Sequence, residues 1–331
     1  MNQVEFYYKG KNTIIQCNSN EKIGLIFQKF SNIEGVNKNS LLFLHSIQNN
    51  INNELTIDQI INNTDKIKNQ INIIVFDKTS LESSYISTSY SLNISSQNVF
   101  DTMKNINQSF IKLENEIKEE SKNMRYKVEL MKNKLKEVIK KKIRFHKATY
   151  FGETIGNEIT GLGIISNDDG RRFEGEMSDS DRNGIGVFYG IKGDIFMGEY
   201  KDNIRNGFGI EENPNVGKYE GTWSNDSLTG IGILTYRDGC IYIGQMDRAQ
   251  LSGLGKFIFF DGDYFIGYFK DSTRSKGKTF YSEENGIFDA IWEEDEKTKE
   301  LIGKGIFYSS DGRKEKRTRI IGETEGVWKY N

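Results

Sequence analysis

The chain has 331 residues, 36% of them hydrophobic and 28% charged, with a net charge of -2. That length allows two or three domains, and no run of about 20 apolar residues offers a membrane-spanning helix. Cys17 and Cys240 are the only cysteines. They support neither a disulfide framework nor a cysteine metal cage, and they suit a reducing, cytoplasmic setting.

The N-terminus lacks the basic-then-apolar pattern of a secretory signal, so none is expected. Charge is unevenly spread. Residues 1–77 hold 7 basic and 7 acidic side chains, residues 78–147 hold 15 and 8, and residues 148–331 hold 23 and 32. An acidic C-terminal half binds nucleic acid and anionic lipid poorly. Residues 78–147 are therefore the electrostatic handle, and no nucleic-acid partner is expected.

In residues 1–77, Val4, Phe6 and Tyr8 alternate up to a turn at Gly10, and Ile14 to Cys17 resume an apolar strand. This reads as a β-hairpin. Ser19 or Asn20 is placed to cap a helix that buries Ile23, Ile26, Phe27 and Phe30, and Gly35 closes it. Leu41–Leu44 and Ile71–Phe76 are further strands, and Leu55-Thr56-Ile57 marks a short turn between them. The order β-β-α-β-β, with Ile33-Glu34-Gly35-Val36 and then Ser40-Leu41-Leu42-Phe43, resembles ubiquitin. The resemblance implies an α+β β-grasp fold and a partner-binding patch at Leu42, His45 and Ile74. One sequence does not decide whether Leu42 and Ile74 face that patch or the core. Asp77-Lys78-Thr79-Ser80 follow Phe76 where that family has its terminal Gly-Gly, so conjugation through this end is not expected.

Residues 78–97 hold eight serines and read as a flexible linker. A helix is expected over 98–147, about 75 Å long at 1.5 Å per residue. Its seam is Met103, Ile106, Phe110, Leu113, Ile117, Met124, Val128, Met131, Leu135, Val138 and Phe145, with Glu120 and Lys142 as polar breaks. A seam of this length suggests a coiled coil, and so a homodimer; the alternative is packing along the chain's own C-terminal half. The end of the helix is basic. Lys140, Lys141, Lys142 and Arg144 are the candidate contacts to anionic lipid.

From residue 148 a 23-residue period takes over. Glycine recurs at Gly152, Gly175, Gly198, Gly221, Gly244 and Gly267, and the next step lands on Ala290. An aromatic precedes each by two: Tyr150, Phe173, Phe196, Tyr219, Tyr242, Phe265 and Phe288. Thr154, Met177, Tyr200, Trp223, Met246, Phe269 and Trp292 follow by two. Gly-x-Gly pairs such as Gly207/Gly209 and Gly230/Gly232 come next, then turns such as Asp238-Gly239. The pattern predicts one hairpin per unit, stacked into a continuous twisted sheet.

Phe196-Met197-Gly198-Glu199-Tyr200 with Gly207-Phe208-Gly209, and Tyr219-Glu220-Gly221-Thr222-Trp223 with Gly230-Ile231-Gly232, resemble the MORN repeat. The resemblance covers 149–312 and gives seven repeats over 148–312, with 313–331 capping the sheet edge. The sixth unit departs at Ser275-Lys276-Gly277-Lys278, and the seventh at Ala290 and an acidic insertion around Glu293–Glu300.

The fold class expected for the whole is multi-domain and mainly β: a ubiquitin-like β-grasp, a long helix or coiled coil, and an elongated array of stacked hairpins. The resemblance implies assembly rather than chemistry, in cytoskeletal or ciliary scaffolds or at membranes. It places a peptide or helix in a groove lined by Tyr200, Trp223, Phe269 and Trp292. The alternative is that these rings only stack among themselves.

His45 and His146 lie in separate modules, Cys17 sits in a strand, and the Gly-x-Gly pairs lack the Gly-Lys-Ser/Thr and helix of a phosphate loop. No enzyme activity, cofactor or metal is expected. The function read from the sequence is a scaffold or adaptor. Peripheral attachment to anionic lipid through the basic helix end is the alternative.

Overall fold

The computed structural model describes residues 2–44, 56–57, 70–77, 95–138, 141–156 and 158–321. His45, Lys140 and the linker residues 78–94 lie outside them. The chain divides into two compact units: Met1–Glu114 with Tyr242–Met246 and Gln250–Asn331, and Asn115–Ile241 with Asp247–Ala249.

The N-terminal strands β1 (Asn2–Tyr8), β2 (Lys11–Cys17), β3 (Leu41–Leu44) and β4 (Gln70–Asp77) form a mixed sheet of order β2-β1-β4-β3. β1 and β4 run parallel, and β1–β2 and β3–β4 antiparallel. Helix α1 (Ile23–Glu34) buries Ile23, Ile26, Phe27 and Phe30 on one face of this sheet. Phe6 stacks on Phe30 at 4.5 Å and Phe43 on Phe27 at 4.0 Å. Gly35 ends the helix in the left-handed region, and the Val36 N–H returns to the Ser31 carbonyl, as a glycine at that position allows. The expected cap at Ser19 or Asn20 is not used: the helix begins after Lys22 with no side-chain cap.

The second face of this sheet is covered as well. Ile74 is fully buried, and Phe76 meets Phe110 of the long helix at 5.0 Å. The Lys112 ammonium sits 4.5 Å from the Tyr7 ring centroid and donates to Asn12. Of the expected patch, Ile74 is therefore not available as a surface residue, and Leu42 is half-buried.

The long helix, α2 (Ser96–Val138), is shorter than expected. Lys141–Arg144 form strand β5 instead, so the basic cluster lies in a sheet and not at a helix end. The seam is buried within this single chain: Val99, Met103, Ile106, Phe110, Leu113, Ile117, Met124, Val128, Met131 and Leu135 are all inside. This is the intramolecular alternative rather than the coiled coil, and a homodimer through the seam loses its basis. The polar break falls on buried Ser121, which satisfies its hydroxyl on the Ile117 carbonyl, and not on Glu120.

The remaining strands follow in sequence as an antiparallel sheet ordered β5 to β20. They are β6 (Ala148–Ile155), β7 (Glu158–Asn167), β8 (Arg172–Ser178), β9 (Asp181–Tyr189), β10 (Ile195–Lys201), β11 (Ile204–Asn213), β12 (Gly217–Ser224), β13 (Ser227–Tyr236), β14 (Ile241–Asp247), β15 (Gln250–Ile258), β16 (Tyr264–Lys270), β17 (Thr273–Tyr281), β18 (Gly286–Glu294), β19 (Leu301–Ser309) and β20 (Lys314–Ile321). β20 pairs with β19 as the last described strand of the order, and the remainder of the expected cap, 322–331, lies outside the described residues.

Within the second unit, Arg125 of α2 pairs with Glu212 at 2.9 Å, and Lys132 donates to the Tyr189 hydroxyl at 2.7 Å. Within the first, buried Lys256 donates to Asn107 at 2.6 Å, and Ser96 donates to the Gly312 carbonyl.

Candidate functional site

The hairpins share one local device, from which the last two depart. In the third, the Phe196 ring lies over Gly198 and Gly209, where a Cβ would come within 2.6 and 2.5 Å of it. Gly198 and Gly209 are themselves cross-strand partners, and the register then slips before Tyr200. Bulges of this kind bend a strand and redirect its side chains. Tyr200 therefore turns back under Phe196, edge-on at 5.4 Å. Trp223 meets Phe196 at 5.1 Å and Tyr219 at 5.7 Å in the same edge-to-face manner. In the other unit Phe269 meets Tyr242 and Phe265, and Trp292 meets Phe288. Where the leading ring is tyrosine, its hydroxyl donates to the carbonyl three residues on: Tyr150 to Glu153, Tyr219 to Thr222, and Tyr242 to Gln245. Burial pushes the Tyr150 phenol up to about 12, with the Glu153 charge adding to the shift, and burial drives Tyr200 up as well.

The residue after the central glycine serves the bulge. Its side chain accepts the backbone N–H of the residue between the paired glycines, nine positions on, in five successive hairpins. The pairs are Glu153 with Leu162, Glu176 with Ile185, Glu199 with Phe208, Thr222 with Ile231, and Gln245 with Leu254. Gly207, at φ +117, sits 1.9 Å from the Glu199 carboxylate when given a Cβ, so both its backbone and its space require glycine. The sixth unit has Tyr268 at this place and has lost the device. The seventh pairs without a register shift, which brings the Trp292 ring over Gly303 and lets Ala290 stand for glycine.

Burial pushes the Glu199 carboxyl up, while Lys127 and the Phe208 N–H pull it down. The folded state then holds the proton more tightly than the unfolded one. Stability from this group is complete below the ordinary glutamate value and falls as pH rises through the raised one. Glu199→Gln keeps the acceptor, as Gln245 does naturally, and removes the buried charge. Its thermal midpoint is expected to match or exceed that of the parent at pH 7, with the advantage gone near pH 4. Glu199→Ala strands a buried N–H and is expected to cost about 1–3 kcal/mol.

The four residues expected to line a groove are not open. Tyr200, Trp223, Phe269 and Trp292 are only 3–6% exposed. Arginines cover three of them: Arg182 lies 5.0 Å from the Tyr200 ring, Arg205 4.0 Å from Trp223, and Arg274 4.6 Å from Trp292. Arg205 is fixed by Asp226, whose carboxylate and carbonyl accept from its guanidinium, and Arg182 by Asn203. These arginines went unnoticed in the sequence, although they occupy one register position every 23 residues: Ile159, Arg182, Arg205, Leu228, Leu251, Arg274. Asp226 and Asn203 belong to two-residue turns in which both φ values are positive, as at Asp202-Asn203 and Asn225-Asp226, the geometry of tight hairpins. Arg205→Ala removes a cation–π contact and its hydrogen bonds. It is expected to cost about 1–2 kcal/mol and to red-shift tryptophan emission as Trp223 becomes wet.

The basic cluster is distributed along β5. Lys141 donates to Thr154 and to the Gly156 carbonyl, Lys142 lies over the Phe151 ring at 5.5 Å, and Arg144 pairs with Asp168 at 2.7 Å. Among the described residues no group of three or more metal-ligating side chains converges, and no helix is long and apolar enough to cross a membrane.

Comparison with known proteins agrees with this geometry over part of the chain. The MORN repeat profile matches residues 173–195, 196–215, 219–241 and 242–264. No curated protein sequence matches. Among solved structures, a chain of the "Crystal structure of ATBAG1 in complex with HSP70" is similar over 41% of this chain and 67% of its own, at 12% identity and a TM-score of 0.20. A likeness that slight carries no argument. The profile and the recurring ring, glycine and bulge geometry coincide, and residues 173–264 are four MORN repeats.

Proposed function

We propose that this protein is a non-catalytic scaffold or adaptor that presents protein-binding surfaces at fixed spacing within a larger assembly, cytoskeletal or ciliary in setting. MORN repeats point to a protein-interaction or membrane-binding role. The observation that carries the protein reading is the interlocking of the repeats. Rings, paired glycines, arginines and turn residues recur in register and hold one another, as in the Arg205–Trp223–Asp226 set. The result is a surface of fixed chemistry at a 23-residue period. The setting rests on the resemblance to repeat proteins of such scaffolds.

A lipid role has less support, because the basic cluster is spread along a strand and Arg144 is already paired. The N-terminal module belongs to this reading as a ubiquitin-like domain, supported by its strand order and its parallel β1–β4 pair. Its apolar exposure is at Ile14, Leu25 and Ile33 rather than at Ile74.

The test is to tag the chain in its own cell, extract with mild detergent and crosslink. Retention in the insoluble cytoskeletal fraction with a stoichiometric protein partner is expected. Release with the membrane fraction, with no crosslinked protein, would overturn the scaffold reading.

A further inference from the structure

We infer that β5 is a docking strand for an acidic, extended peptide segment, which adds to the sheet at this edge. The inference rests on the scaffold reading above and names one partner class and one site for it.

β5 is the terminal strand in the sheet order, paired only with β6 among the described residues. The Phe145 N–H donates to the Ala148 carbonyl at 2.8 Å, which makes 145 and 148 a hydrogen-bonded pair. Bonded and non-bonded pairs alternate along an antiparallel ladder. The register Lys141↔Gly152, Lys142↔Phe151, Ile143↔Tyr150, Arg144↔Thr149 then directs the backbone of Lys141 and Ile143 toward β6. The N–H and C=O of Lys142 and Arg144 point away from the sheet. A strand laid against this edge would find its ladder already aimed outward.

Charge selects what can lie there. Lys141 and Lys142 rest on a hydroxyl, a carbonyl and a ring, and neither forms an ion pair among the described residues. The opposite edge strand, β20, reads Lys-Glu-Lys-Arg-Thr-Arg-Ile-Ile and is basic too. Like charges directly opposite each other disfavour pairing. A second copy of either edge is thus a poor occupant, and an acidic strand is a good one. β5 is the better of the two edges because Arg317 and Arg319 of β20 are both committed to Glu284. A recess of about 580 Å³ beside β5 is bordered by Val138, Lys141, Glu153, Thr154, Ile155 and Thr160; the Glu153 carboxylate there is engaged by the Leu162 N–H, and the rest offers room for one apolar side chain of the same segment.

The probe is a fluorescein-labelled, end-capped octapeptide of alternating glutamate and valine, titrated with the full chain by fluorescence anisotropy. Saturable binding is expected. Lys142→Pro removes an outward N–H while leaving every β5–β6 bond in place, as edge strands tolerate. It should weaken binding by about tenfold or more with an unchanged circular dichroism spectrum. Lys141→Gln with Lys142→Gln should weaken binding and flatten its salt dependence. The same peptide with proline at alternate positions should not bind.

Absence of saturable binding overturns the inference, as does equal binding by Lys142→Pro or by the proline peptide. So does capture of phosphatidylserine vesicles that is lost in the glutamine variant and untouched by Lys142→Pro. Failure of the peptide while crosslinked complexes persist in the cell would remove the β5 site and leave the scaffold reading intact.

Discussion

Gly221→Ala is expected to lower the stability of the repeat array by about 3 kcal/mol, although it adds one methyl group. The Cβ at this position would lie 2.6 Å from the Cα of Gly232 and 2.6 Å from the Ile231 carbonyl oxygen. Both are backbone atoms of the partner strand and cannot rotate away. The Tyr219 ring, whose hydroxyl comes 2.6 Å from the same point, is 2% exposed and held by its bond to the Thr222 carbonyl. The methyl group therefore forces β12 and β13 apart at the point where the bulge and the ring meet. Gly239→Ala is the control. It has φ +92 and open space around it, so only backbone strain is felt, about 1 kcal/mol. Urea unfolding of both variants decides between crowding and strain. If the two midpoints fall by the same amount, the close approach of the strands is not what selects glycine at the central position.

Asp289→Ala is expected to cost about 3–5 kcal/mol, by the general rule for breaking a buried ion pair from one side. Asp289 is 1% and Lys278 7% exposed in their side chains, 3.4 Å apart, on directly opposed positions of β18 and β17. Removing the carboxylate leaves an ammonium in the interior, where its lost hydration is replaced poorly. The double variant Lys278→Met with Asp289→Leu removes both charges and keeps the volume, so most of the loss should return. Chemical denaturation of the single and double variants measures this directly. A single variant within about 1 kcal/mol of the parent would show that water reaches the pair, because only exposed pairs contribute so little.

The repeat array was legible in the sequence because its physics is local and recurs. An aromatic two residues before a glycine, and a Gly-x-Gly after it, state a ring resting on bare backbone, and the structure repeats that contact at Phe196, Tyr219 and Tyr242. The bulge acceptor was also written there, as the residue following each central glycine, but its purpose needed the strand register. What tertiary structure alone decided was which surface each amphipathic element covers. The α2 seam specifies burial, not a partner; proximity within one chain supplied the partner, and the coiled coil was not needed. Ile74 alternates correctly for either face of its strand, and it is buried because Phe110 brings α2 to that side. Tyr200 and Trp223 are spaced as a groove lining, yet the register slip turns them inward and Arg182 and Arg205 close over them. Periodicity determines that a face exists. Only the packed chain determines what lies against it.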